Sequence, residues 1–251
     1  MSFLFRPFRA LFGIYAAVIF IVLLLVLALA YFFCFIFLPG KKAPFAAHHV
    51  SRFWALLLEF FFFHRYSVEN KNRIDPKRVY VFVANHQSQL DIPLYARSCR
   101  NAFRFLAKAE LTKIPLLGFI IKKLYITVDR KDRSDRNRSI EIMKRSLDSG
   151  FSVFICPEGT RNRKKEPVLL DFRDGAFRLA ILTGTPLAVL TVFDSGDKLS
   201  PNRPVELAPG IIRARWSEPI ETKNMSLDDL PPLKEKVRQI METQIREYRA
   251  K

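Results

Sequence analysis

From Leu11 to Leu38 the chain runs "LFGIYAAVIFIVLLLVLALAYFFCFIFL", 28 residues without a charged side chain. As a helix rising 1.5 Å per residue it would be roughly 42 Å long, more than the ~30 Å hydrocarbon core of a bilayer requires. Ala28-Leu29-Ala30 has the small-residue spacing of a signal-peptide cleavage site, but the apolar run continues through "YFFCFIFL". That makes the hydrophobic region too long for a cleaved leader. The segment therefore reads as a retained membrane anchor, able to span with tilt or to enter as a bent segment. Arg6 and Arg9 precede it, and Lys41, Lys42, Arg52 and Arg65 follow. This bias leans towards a cytoplasmic location for everything C-terminal to it.

A second apolar stretch, "FWALLLEFFFFH" (Phe53–His64), is too short to span and contains Glu59. It reads as an interfacial helix lying among lipid headgroups. Residues 1–65 are thus predicted to be a membrane-embedded two-helix unit, with His48, His49, His64 and Trp54 at the interface and Trp216 as a packing residue elsewhere. A formal net charge of +17 calls for an anionic partner: membrane lipid, nucleic acid or a phosphorylated substrate. With 24 Phe and 49% hydrophobic residues the chain is no disordered basic tail. The apolar base and the lack of common nucleic-acid-binding motifs favour anionic membrane lipid over nucleic acid. Cys34, Cys99 and Cys156 are scattered, suggesting a reducing compartment and no metal site.

After Asn70 the pattern becomes that of one α/β domain, assigned to residues 66–251. Strand-like runs fall at 79–84, 102–107, 124–128, 151–156 and 186–193, with more strand within 205–220. Helical stretches lie between them: 110–124, broken by Pro115 and Gly118; 133–150 and 173–184, each ending near a Gly; and an amphipathic C-terminal helix after Pro231-Pro232. The expected fold is α/β, a mixed sheet flanked by helices on the N-terminal membrane unit.

Ligands of open α/β sheets bind beyond the carboxyl ends of the strands. Two polar motifs fall there: "NHQSQLD" (85–91) after the run at 79–84, and "PEGTRNR" (157–163) after the run at 151–156. Five positions apart on one helix, His86 and Asp91 would point about 140° away from each other. A strand, a polar turn and a helix starting near Asp91 would let them meet. The plain alternative is that Asp91 caps that helix, with Pro93 in its first turn, and His86 is a loop residue. The chemical reading is a general base at neutral pH whose tautomer a carboxylate fixes. No G-x-S-x-G is present, and Ser88 reads as a turn residue, so a His–Asp pair would activate a hydroxyl of the substrate itself. In the second motif Pro157 and Gly159 permit a tight turn. Thr160 offers a hydroxyl, Arg161 a planar fork suited to phosphate, and Glu158 a carboxylate for that Arg or for a substrate hydroxyl. Arg163, Lys164, Lys165, the 130–138 run, Lys108, Lys113, Lys122 and Lys123 read as a basic surface facing anionic lipid.

The two motifs together resemble the glycerolipid acyltransferase family, whose members include 1-acylglycerol-3-phosphate acyltransferases. "NHQSQLD" is similar to its N-H-x4-D and "CPEGTR" to its F-P-E-G-T-R, with Cys156 in place of Phe. "LYITVDR" (124–130) is similar to G-x-I-F-I-D-R, with Leu124 for Gly. "TPLAVL", "FRDGAF" and "AKAEL" match further stretches of that family. The resemblance covers roughly residues 65–220. It implies that His86, oriented by Asp91, deprotonates a lysophospholipid hydroxyl that attacks the thioester of an acyl-CoA or acyl-carrier protein. It also implies that Asn85, Arg130, Glu158, Gly159, Thr160 and Arg161 bind the acceptor, with no metal or other cofactor. The product would be phosphatidic acid, made at the cytoplasmic face of a membrane, by resemblance a bacterial inner membrane. Glycerol 3-phosphate or another lysolipid is the alternative acceptor. A non-catalytic lipid-binding relative would be expected to have lost His86 or Asp91.

Overall fold

The computed structural model describes residues 6–129, 132–164 and 166–250. Helix α1 (Arg6–Phe37) is unbroken over 32 residues. A turn with Gly40 at φ +57° leads to α2 (Lys42–Phe61), which packs back on α1. One stripe of α1 is buried: Gly13, Ala16, Leu23, Leu27, Ala28 and Tyr31. At Gly13 the contact is so close that a Cβ would lie 1.7 Å from the Val205 carbonyl oxygen. Arg6 pairs with Glu206 at 2.9 Å, and Arg9 donates to the Asp197 carbonyl at 3.0 Å. Further along, Leu27, Ala28 and Tyr31 cluster with Ile120 and Leu124. Gly13 and Tyr31 are thus separated by about 27 Å of helix that touches protein along its length. The opposite stripe, including Ile14, Val18, Leu25, Leu29 and Ile36, is exposed.

Seven strands make one sheet in the order β1-β7-β6-β2-β5-β3-β4. They are β1 (His64–Glu69), β2 (Val81–Ala84), β3 (Phe103–Lys108), β4 (Ile126–Val128), β5 (Ser152–Ile155), β6 (Leu187–Val192) and β7 (Gly210–Trp216). Every pairing is parallel except β6 with β7, so the sheet is mixed. The other helices are α3 (Asp91–Ser98), α4 (Leu117–Leu124), α5 (Arg133–Asp148), α6 (Gly175–Thr183), α7 (Ser195–Lys198) and α8 (Leu230–Arg249). Alternation along β2 divides the core: Phe82 and Ala84 face a cluster with Leu94, Phe103, Phe154 and Trp216, while Val81 and Val83 face Met143, Phe177 and Met241. Strands buried on both faces lack polar alternation, which is why β2, β5 and β6 are apolar runs.

The expected strands and helices form within a few residues of their predicted bounds, and Trp216 is a core residue. Strand β1 was not expected. Its sequence "HRYSVE" alternates inward His64, Tyr66 and Val68 with outward Arg65, Ser67 and Glu69, yet it abuts an aromatic run that reads as helix. The sheet therefore begins inside the stretch assigned to the membrane unit. The interfacial placement of two histidines is also corrected. His48 is buried against Phe103 with ring centroids 5.0 Å apart, and His64 places Nε2 2.8 Å from the Ala208 carbonyl. Trp54 packs edge-on to Phe20 of α1 at 5.8 Å. A two-helix hairpin lying on the domain buries one side of each helix, whatever lies on the other.

Candidate active site

Strands β2 and β5 are parallel neighbours, so the turns after them meet at the carboxyl end of the sheet. After Ala84 the chain leaves the sheet through Asn85, which is fully buried. Its amide donates to the Val192 carbonyl at 2.8 Å and accepts from the Val192 N–H at 2.7 Å, tying this exit to the end of β6. Tyr95 on α3 donates to the Asn85 carbonyl at 2.6 Å. Asn85, a predicted acceptor ligand, thus has its side chain committed to the backbone.

His86 and Asp91 do meet: Nδ1 lies 2.8 Å from Oδ2. The same carboxylate oxygen accepts the N–H groups of Gln87 at 2.7 Å and Ser88 at 2.8 Å. Asp91 is the first residue of α3 and its side chain turns back into the preceding loop, so it does not cap the helix. A carboxylate only accepts, so Nδ1 carries the proton and Nε2 of the neutral ring keeps a lone pair. The Asp91 side chain is fully buried, whereas that of His86 retains 18% exposure. Ser88 donates its hydroxyl to the Leu199 carbonyl at 2.7 Å, as expected of a turn residue.

The second motif is joined to the first twice. The His86 N–H donates to Glu158 Oε1 at 2.9 Å, and the Asn162 N–H donates to the His86 carbonyl at 2.8 Å. The other Glu158 oxygen accepts the Leu170 N–H at 2.8 Å, so this buried carboxylate braces the histidine turn. Burial pushes its pKa up to about 7, against the two N–H donors that favour the ionised form. The turn closes through a bond from the Gly159 N–H to the Cys156 carbonyl at 3.0 Å, with Gly159 at φ +71°. A Cβ at 159 would lie 2.7 Å from Nε of Arg173, so that guanidinium lies on the turn. Sequence reasoning did not assign Arg173 or Asn162 to the site; only the "FRDGAF" match bore on Arg173. Thr160 is exposed and Arg161 half-buried, and neither side chain pairs with a described residue. Arg130 lies outside the described residues. Among the described residues no group of three or more His, Cys, Asp or Glu is placed to hold a metal ion.

A His–Asp pair braced by a Glu-Gly-Thr-Arg turn at the carboxyl ends of parallel strands is a site built to activate a substrate hydroxyl. The chain belongs to the acyltransferase family, whose model matches residues 65–192. It is 31% identical over 177 residues to the 1-acyl-sn-glycerol-3-phosphate acyltransferase of Saccharomyces cerevisiae, covering 68% of this chain and 57% of that one. It is 30% identical over 185 residues to the mouse (Mus musculus) 1-acyl-sn-glycerol-3-phosphate acyltransferase alpha, covering 73% and 64%. With the Escherichia coli 1-acyl-sn-glycerol-3-phosphate acyltransferase the figures are 29% over 173 residues, 66% and 67%. The chain therefore spans about three fifths of the length of several of these relatives. Its fold matches the crystal structure of the 1-acyl-sn-glycerophosphate acyltransferase PlsC from Thermotoga maritima, with TM-score 0.80, 23% identity and 100% and 99% of the two chains covered.

Proposed function

We propose that the protein transfers an acyl chain from a thioester, acyl-CoA or acyl-carrier protein, to the free sn-2 hydroxyl of 1-acylglycerol-3-phosphate, giving phosphatidic acid. The observation that carries this reading is the His86 Nδ1–Asp91 Oδ2 bond, with its carboxylate oxygen held by two further N–H groups. Nε2 takes the hydroxyl proton as the oxygen attacks the thioester carbonyl. The tetrahedral intermediate collapses, the C–S bond breaks, and the imidazolium returns the proton to the departing thiolate. Asp91 stabilises that imidazolium. Arg161 and Thr160, without partners among the described residues, are assigned to the acceptor phosphate, with Arg130 as a further donor; Glu158 and Asn85 serve by positioning the turns. The names of the relatives support the acceptor.

The membrane attachment follows from α1. A helix bound to the domain over ~27 Å of its length cannot stand upright in a bilayer while the domain stays outside. It lies in the membrane surface instead, with its exposed apolar stripe and Phe53 and Phe60 of α2 in the acyl layer. We assign the catalytic domain to the cytoplasmic side, where a net charge of +17 would meet an anionic leaflet. The test is acyl transfer with lysophosphatidic acid against glycerol 3-phosphate in mixed micelles. Turnover with glycerol 3-phosphate alone would reassign the acceptor.

A further inference from the structure

Where α2 packs on α3, four cations and one carboxylate lie within reach of one another's charge. Arg52 and Glu59 are seven residues apart on α2 and so share one face. Arg97 is in the last turn of α3 and Arg100 lies three residues on. Lys71 opens the short 3-10 turn Lys71–Arg73 after β1. Glu59 is fully used: Oε2 accepts from Arg97 Nε at 3.2 Å and Oε1 from the Tyr66 N–H at 2.8 Å. Arg52, Arg100 and Lys71 pair with no described residue. Among the described residues the cluster thus sets four positive charges against one carboxylate. These charges act on one another: burial and then Arg97 pull down both Arg52 and Lys71, with Arg100 adding to each and Glu59 offsetting part of this at Lys71. Such crowding costs free energy unless an anion lies among them.

Its place on α2 indicates which anion. Phe53, Leu56 and Phe60 form an exposed apolar row, 61%, 41% and 71% accessible, while Ala55 and Leu58 are buried against the domain. Arg52 and Glu59 lie on the seam between that row and the domain. When the row enters the acyl layer, the seam sits at the depth of headgroup phosphates.

We propose that Arg52, Lys71, Arg97 and Arg100 bind the phosphate of an anionic phospholipid headgroup, at a site separate from the acyl-transfer centre. Guanidinium forks suit phosphate oxygens, and the bound lipid would pin α2 to α3 and fix how the domain meets the membrane. The proposal rests on the reading that α1 and α2 lie in the membrane surface, but not on the catalytic reading.

The test uses the full chain in neutral detergent micelles titrated with phosphatidylglycerol or phosphatidylcholine, reading the thermal midpoint. Phosphatidylglycerol should raise the midpoint saturably and phosphatidylcholine should not. R52Q/R100Q should raise the phosphatidylglycerol fraction needed for half the effect by about tenfold or more. K41Q/K42Q, removing two charges at the α1–α2 turn, should raise it by no more than about threefold. The gap between the pairs should persist at about 0.5 M salt, where screening acts within roughly 4 Å. If R52Q/R100Q melts lower in plain micelles, R100Q and K71Q, at exposed positions, should show smaller shifts in the same direction. Equal effects of the two pairs, or a gap that vanishes with salt, would mean diffuse attraction only and overturn the site. The same midpoint rise with inorganic phosphate would make it a free-anion site. An unchanged lipid titration with a raised KM for a carrier-protein thioester would make it a protein dock.

Discussion

The two motifs lie side by side at the carboxyl end of the sheet but are built in opposite ways. On the histidine side the acceptor oxygen of Asp91 and both oxygens of Glu158 are bonded within the protein, and the turn is held from β5 and β6. On the arginine side Thr160 is exposed and Arg161 half-buried, with no partner among the described residues. A base must be aimed before substrate arrives, because misorientation is costly in rate. A phosphate clamp can keep its donors for the ligand. On the proposed function, the difference separates what the fold supplies from what the acceptor would supply.

The comparison is sharpened first by Asp91→Asn, which leaves the shape of the turn but frees the tautomer of His86. We expect kcat to fall by roughly 10³–10⁴-fold with KM little changed, measured by thiol release. Arg161→Ala should act the other way round, raising KM for lysophosphatidic acid by roughly 10–100-fold with a smaller change in kcat, as for a lost charge-assisted hydrogen bond. A lysine there should recover only part of this, because the bidentate fork is missing. A kcat loss at Arg161 as large as that at Asp91 would break the division.

The smallest effect concerns stability. Glu158 is raised from 4.5 to about 7 by burial, so the folded state holds this proton more tightly than the unfolded chain. Its contribution is fully present below pH 4.5 and lost as pH rises through 7. Relative to Glu158→Gln, which does not titrate there, the wild-type thermal midpoint should fall across that window and stay level above it. A constant offset from the lost acceptor is expected at all pH values. A flat difference from pH 4.5 to 8 would show that the carboxyl ionises as an ordinary one.

Much of this site was legible in the sequence, because β2 and β5 are doubly buried strands whose apolar runs announce where polar turns must begin. The meeting of His86 with Asp91 could be expected once a strand, a turn and a helix were assigned. The role of Glu158 could not, since its partners are backbone N–H groups at His86 and Leu170 that a sequence pattern does not mark. Strand β1 hid behind "EFFFFH", where its first inward residue, His64, reads as the end of a helix. The lie of α1 was illegible for a different reason. A chargeless run has the same composition whether it crosses a membrane or lies in its surface, and the contacts with Val205 and Glu206 that bind α1 to the domain come from nearly 200 residues away.

The central claim is that His86 is the base of an acyl transfer to lysophosphatidic acid. The most direct measurement is thiol release from acyl-CoA and acyl-carrier protein by the full chain in mixed micelles, with wild type beside His86→Ala and with or without lysophosphatidic acid. The account predicts release that requires lysophosphatidic acid and falls by at least about 10³-fold in the variant. Release that survives the substitution, or that no acceptor elicits from wild type with either donor, would contradict it.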